Sequence, residues 1–150
     1  EVTKTTLDKI VVAYDGSGYA KSALREALEL AKGAGASVVA VKVIDSLELA
    51  RIYDKAESGT MTKMLEHDAV NQIMIAEAKA IATEKGLPLS VELLIGESVA
   101  ATLLDYSEKN GANMIVAGTL GHPLLEQILV GSVTRNLISL SKVPVLVVKQ

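Results

Sequence analysis

Five short aliphatic runs recur along the chain, and segments with helical spacing separate them. The runs are Ile10 to Tyr14, Ser37 to Ile44, Leu89 to Ile95, Met114 to Ala117 and Val143 to Val148. The first, Ile10 to Tyr14, is continuously apolar. A strand apolar on both faces must be covered on both, which is the condition of a parallel sheet between helical layers. Strands alternating with helices imply βαβ units. The sequence therefore predicts an α/β fold: a doubly wound, three-layer αβα arrangement forming one domain over residues 1–150, with a five-stranded parallel sheet.

Composition narrows the chemistry. Apolar residues make up 49% and charged residues 22% of the 150, so a packed core is expected rather than disorder. The chain has no Cys, Phe or Trp, so the core is aliphatic, and thiolate zinc sites, disulfides and cysteine nucleophiles are excluded. A net charge of −3 with no basic run argues against nucleic-acid partners. There is no apolar run of about 18 residues to cross a membrane. A cysteine-free chain with no visible signal peptide is expected in the cytoplasm, although targeting stays open in a sequence that begins at Glu1.

The intervening segments read as helices with recognisable ends. Ala20, Ala23, Leu24, Ala27, Leu28 and Ala31 share one helical face, with Gly33 and Gly35 ending that helix. From Asp45 to Lys63 the periodicity fades, which predicts a long loop over residues 46–63, either a lid or a surface excursion. A second helix then presents Leu65, Ala69, Ile73, Ala76 and Ala80 on its apolar face, until Gly86 and Pro88 stop it. A third helix follows Gly96-Glu97-Ser98 and closes at Asn110-Gly111. Pro144 lacks a ladder donor, so the last strand belongs at an edge or begins at Pro144.

The strand ending at Ala117 runs into Gly118-Thr119-Leu120-Gly121, followed nine residues later by Gly131-Ser132. Glycines let a ligand approach the backbone closely, and a helix start offers unpaired N–H groups that suit a phosphate. Ser132 serves either that ligand or the helix as its N-cap, and the two roles can coexist. Asp15, ending the first strand, either shapes a turn or accepts a hydrogen bond from a ribose hydroxyl, and with the distal glycines present the second reading is favoured. Gly16-Ser17-Gly18 begins like G-x-G-x-x-G but places Lys21 at the third glycine, so Gly16 and Gly18 read as turn residues. The P-loop signature is missing. His67 and His122 stand apart with no carboxylate at ligand spacing, and no metal site is predicted.

Taken together, Val11 to Ser17, Val43-Ile44-Asp45, the spacing Gly118-x2-Gly121-x9-Gly131-Ser132-Val133-Thr134 and the terminal Pro144-Val145 strand resemble the universal stress protein family, over about Lys9 to Lys149. The resemblance implies the adenine-nucleotide α-hydrolase-like fold with strand order 3-2-1-4-5, and the family branch that binds ATP. It places Asp15 on the adenosine, the backbones of Ala13 and Val43 along the adenine slot, and Ala117, Gly118, Gly121 and His122 in the ribose and phosphate loop. Gly131, Ser132, Val133 and Thr134 would hold the phosphates. Leu120 stands where the family often has His, and His122 where it often has a basic residue. A homodimer through Val143 to Val148 is implied, as are an unidentified regulatory protein partner and Mg2+ or Mn2+ carried in on ATP, ADP or AMP.

The expected function is a cytoplasmic, nucleotide-binding stress-response regulator with little or slow ATP hydrolysis, since no general base or loop lysine is arranged for it. The alternatives are an adenine-nucleotide enzyme of the same fold group, either a slow ATPase or an adenylating ligase, and a nucleotide-free dimeric interaction module. Ligases of that group carry Ser-Gly-Gly-x-Asp-Ser after strand one, where this chain has Asp15-Gly16-Ser17-Gly18.

Overall fold

A computed structural model describes residues 6–55, 68–119 and 130–149. In chain order its elements are β1 (Lys9–Ala13), α1 (Gly18–Ala34), β2 (Ser37–Ile44), α2 (Ser46–Lys55), α3 (Ala69–Lys85), β3 (Ser90–Ile95), α4 (Val99–Lys109), β4 (Met114–Gly118), α5 (Ser132–Leu140) and β5 (Val145–Val148). The five strands form a parallel sheet in the order β3-β2-β1-β4-β5. The strand order reverses direction between β1 and β4, which opens a crevice at their carboxyl ends.

Successive strand residues face opposite layers, and the two cores divide accordingly. Ile10, Val12, Val38 and Ala40 pack with α1 and α3 residues on one face. Val11, Val39, Val41, Val43, Ile115 and Ala117 pack with Ala100, Leu103 and Leu137 of α4 and α5 on the other. Helix α1 buries the stripe its spacing predicts, Ala20 to Ala31 at helical intervals. Its ends are equally explicable: Ser17 Oγ accepts from the Ala20 amide, and Gly35 closes the helix at φ 71°, its N–H donating to the Ala31 carbonyl. Gly33 lies inside the helix and plays no part in that stop.

Two expectations need correction. The segment after Asp45 is not all loop, because α2 occupies Ser46–Lys55. Asp45 Oδ1 accepts from the Glu48 amide, so an acid three residues ahead of another acid signalled a helix start. The remainder of the predicted loop, residues 56–63, lies outside the described residues, as does Leu65. Helix α3 also turns a different face inward. Ile73 is 60% exposed, and Ala69, Ala76 and Ala80 lie on the outer side. The buried residues are Asn71, Met74, Ala78, Ile81 and Ala82. Apolar residues surround α3, so periodicity does not select a face. Contacts select it: Met74 packs so closely on Gly16 that a Cβ there would lie 3.0 Å from its Cγ.

Candidate functional site

The crevice contains a cavity of about 260 Å³. Every predicted site residue among the described ones lines it: Ala13, Asp15, Val43, Ala117, Gly118, Gly131, Ser132, Val133 and Thr134. Gly121 and His122 lie outside the described residues. Four chain segments converge here because β1, β2 and β4 end at the same rim and α5 begins beside it.

On the β1 side the turn is built locally. Gly16 adopts φ 82°, a conformation that glycine alone takes without strain, and this turns the chain from β1 into α1. Asp15 Oδ1 accepts from the Ser17 amide at 2.9 Å. Asp15 therefore does shape the turn, while remaining an exposed carboxylate on the cavity wall. The next residue inward, Tyr14, is buried at 3% exposure, and its hydroxyl has no hydrogen-bond partner among the described residues. Burial first, then the carboxylates of Glu77 and Asp15, push its pKa up to about 12.

On the β4 side, glycine serves close approach. A Cβ on Gly118 would lie 2.6 Å from the Tyr19 carbonyl oxygen, so the first turn of α1 can sit against the end of β4 only because that atom is missing. Thr134 Oγ1 donates to the Gly118 carbonyl at 3.0 Å and ties α5 to the same point. The Thr134 hydroxyl is thus engaged by the fold, and its backbone N–H is what it presents at the helix start.

The start of α5 differs from the other described helix starts. Ser17, Asp45, Asp68 and Ser98 each cap a helix with a side-chain oxygen. Helix α5 begins on Gly131, which has no side chain to offer. Ser132 is the first helical residue and not the cap. Gly131 has φ −64°, which any residue can adopt, so backbone conformation does not require glycine there. The first turn of α5 lines the cavity, and among the described residues no side chain caps it.

The structure adds lining residues that the motifs did not indicate, among them Tyr19, Lys42, Glu48, Val99 and Leu103. Lys42 Nζ pairs with Glu48 Oε1 at 2.9 Å. Glu48 Oε2 accepts from Asn71 Nδ2 at 3.3 Å, and Asn71 in turn donates to Asp68, which also receives Arg51. A lone lysine in the aliphatic strand Ser37–Ile44 was the readable signal, because a charge there must reach the rim. Among the described residues no group of three or more His, Cys, Asp or Glu side chains is placed to hold a metal. No helix among them is long and apolar enough to cross a membrane.

Comparison with known proteins agrees with this geometry. The sequence profile of the universal stress protein family matches residues 6–149. Universal stress protein MJ0531 of Methanocaldococcus jannaschii is 33% identical over 142 residues, covering 95% of this chain and 82% of that protein. The solved structure of the protein designated MJ0577 superposes with a TM-score of 0.72 at 25% identity, covering 97% of this chain and 98% of the other. A universal stress protein crystallised in complex with cAMP gives a TM-score of 0.70 at 22% identity, covering 96% and 98%. This chain belongs to the universal stress protein family.

Proposed function

We propose that this chain is an adenine-nucleotide-binding regulatory protein of the cytoplasm that acts as a homodimer. Its ligand is ATP or one of the lower phosphates, ADP and AMP. The observation that carries this reading is the uncapped N-terminus of α5, opening onto a cavity at the switch point of a parallel sheet. The occupancy of one structural neighbour by cAMP supports the same ligand class. In this reading the base lies between Ala13 and Val43, Asp15 accepts from the ribose, and the amides of Ser132, Val133 and Thr134 meet the phosphate. Mg2+ or Mn2+ would arrive bound to phosphate oxygens and water. Hydrolysis is expected to be slow, since Lys42, the one lysine or arginine among the described lining residues, is already paired with Glu48.

The test is Ser132→Pro. Proline suits the first helical position, and Gly131 already has the extended conformation that proline demands of its predecessor. The variant should fold like the parent while losing one amide donor and one hydroxyl. Calorimetry with adenine nucleotides should show affinity lower by about tenfold or more. Unchanged affinity in a folded Ser132→Pro protein would remove α5 from the site.

A further inference from the structure

We infer that Asn110 is a site of spontaneous covalent modification, where water replaces the side-chain amide nitrogen by way of a cyclic imide. This chemistry needs an asparagine that the next backbone nitrogen is free to attack. The chain has four asparagines, and three are held against the reaction. Asn71 is buried and donates to Glu48 and Asp68, and the amide that follows it, that of Gln72, donates to the Asp68 carbonyl. Asn113 Oδ1 accepts from the amides of Asp8 and Lys9 at 2.7 and 2.8 Å. Asn136 lies inside α5 and precedes the fully buried Leu137.

Asn110 differs on each count. It is exposed, it ends α4 as the C-cap, and Gly111 follows it. Gly111 has φ 67°, and a Cβ on it would meet no atom within 4 Å, so the residue stands in open space. Its N–H reaches the Glu108 carbonyl only at 3.4 Å. One better bond restrains the asparagine itself: Asn110 Nδ2 donates to the Tyr106 carbonyl at 2.8 Å. With ψ at 7°, Asn110 keeps the Gly111 nitrogen turned away from its own side chain, so the ring closes only when this exposed cap opens. Helix ends open far more readily than the whole chain unfolds.

The reaction balances in two steps. The Gly111 nitrogen gives its proton to hydroxide and attacks Cγ of Asn110. A C–N bond forms, the Cγ–Nδ2 bond breaks, and Nδ2 takes a proton from water and leaves as ammonia. Water then opens the imide at either carbonyl, giving aspartate or isoaspartate at position 110. The new carboxylate cannot donate to Tyr106, and it adds negative charge at the negative end of α4. Isoaspartate also lengthens the main chain by a methylene just before the Ala112 and Asn113 amides, which bond Ser107 and Lys9 and set the entry to β4. Each copy thereby ages into a less stable form.

The experiment is incubation of the whole chain at mildly alkaline pH, folded and in urea, followed by peptide mass mapping. The expected result is exchange of ammonia for water at Asn110 ahead of the other asparagines, faster as the pH rises and several-fold slower in the folded chain than in urea. Asp15-Gly16 can close the same ring, but it loses and regains water and returns to its starting mass. Asn110→Gln, whose longer arm closes poorly, should fold alike and stay unmodified. Asn110→Asp, one of the products, should lower the thermal midpoint by a few degrees. Modification of another asparagine first, or a folded chain unchanged when the urea sample has fully converted, overturns the inference. Asn110→Asp melting with the parent overturns the loss of stability on ageing.

Discussion

Gly118 and Gly131 belong to one motif and serve different physical ends. Gly118 is required by the Tyr19 carbonyl 2.6 Å from where its Cβ would be. Gly131 has an ordinary φ of −64° and leaves a helix without a side-chain cap. Spacing marks both positions and cannot distinguish these roles, because the Tyr19 contact exists only once α1 is docked. Tyr14 was legible as the end of a strand, but its orphaned hydroxyl was not, since nothing in sequence reveals that no partner reaches it. Its folded-state pKa is raised from 10.0 to about 12, so the fold favours the protonated phenol. The corresponding stability is complete below pH 10 and is lost as the pH climbs through 12. Ultraviolet titration should show Tyr14 as the last of the four tyrosines to ionise, and Tyr14→Phe should abolish that final step. Because a buried, unpaired hydroxyl is removed, urea denaturation of Tyr14→Phe should show stability unchanged or raised by about 1 kcal/mol.

Among the elements, α1 was readable from sequence and α3 only in part, and the contrast is physical. Every buried residue of α1 falls on one stripe flanked by charged positions. In α3 the apolar residues encircle the helix, and a buried asparagine decides its orientation. Asn71 is 1% exposed, and Asp68 accepts from both its amide and its side chain, at 3.2 and 2.8 Å. Arg51 of α2 reaches the same carboxylate at 3.4 and 3.3 Å, which joins the middle of α2 to the start of α3. Asp68→Ala should therefore cost about 2–3 kcal/mol in denaturant unfolding: the cap contributes roughly 1, and the loss of the shorter Asn71 side-chain hydrogen bond and of the Arg51 pair the rest. The exposed pair of Lys109 and Asp105 lies at a similar distance, 3.0 Å, yet Asp105→Ala should cost less than about 0.5 kcal/mol, because water screens it. A loss at Asp68 no larger than at Asp105 would show that the network does not hold α3 in place.

At the scale of the molecule the sequence is most transparent. Five mainly aliphatic runs separated by helical segments admit little except a covered parallel sheet, and the rim residues Asp15, Asp45 and Gly118 follow three of those runs directly. What remained hidden was the far wall, Lys42 with Glu48, because it depends on α2, whose short periodicity is diluted by charge. The sheet also has an edge that bears on assembly. The Ile115 and Thr119 amides donate to the Pro144 and Val148 carbonyls, so even-numbered residues of β5 bond inward. By the alternation of a parallel ladder, Val145 and Val147 turn their backbone groups toward the open side. If the proposed dimer pairs through this strand, Val147→Pro removes an outward donor and leaves the β4 ladder untouched. Sedimentation at matched concentration should then show the parent as a dimer and Val147→Pro as a monomer of unchanged secondary structure, with equal masses excluding the edge as the interface.

The bare beginning of α5 carries a last consequence. Four other helices bring their own oxygen to their first turn, and under the proposed function this one would be finished by the phosphate of its ligand. Occupancy and foldedness are then one equilibrium. By mass action, saturation at a hundredfold the dissociation constant adds about 2.7 kcal/mol to resistance against unfolding. If the proposed ligand binds there, the chain would be hardest to degrade when that ligand is abundant, and how long each copy survives would become a gauge of the surrounding pool.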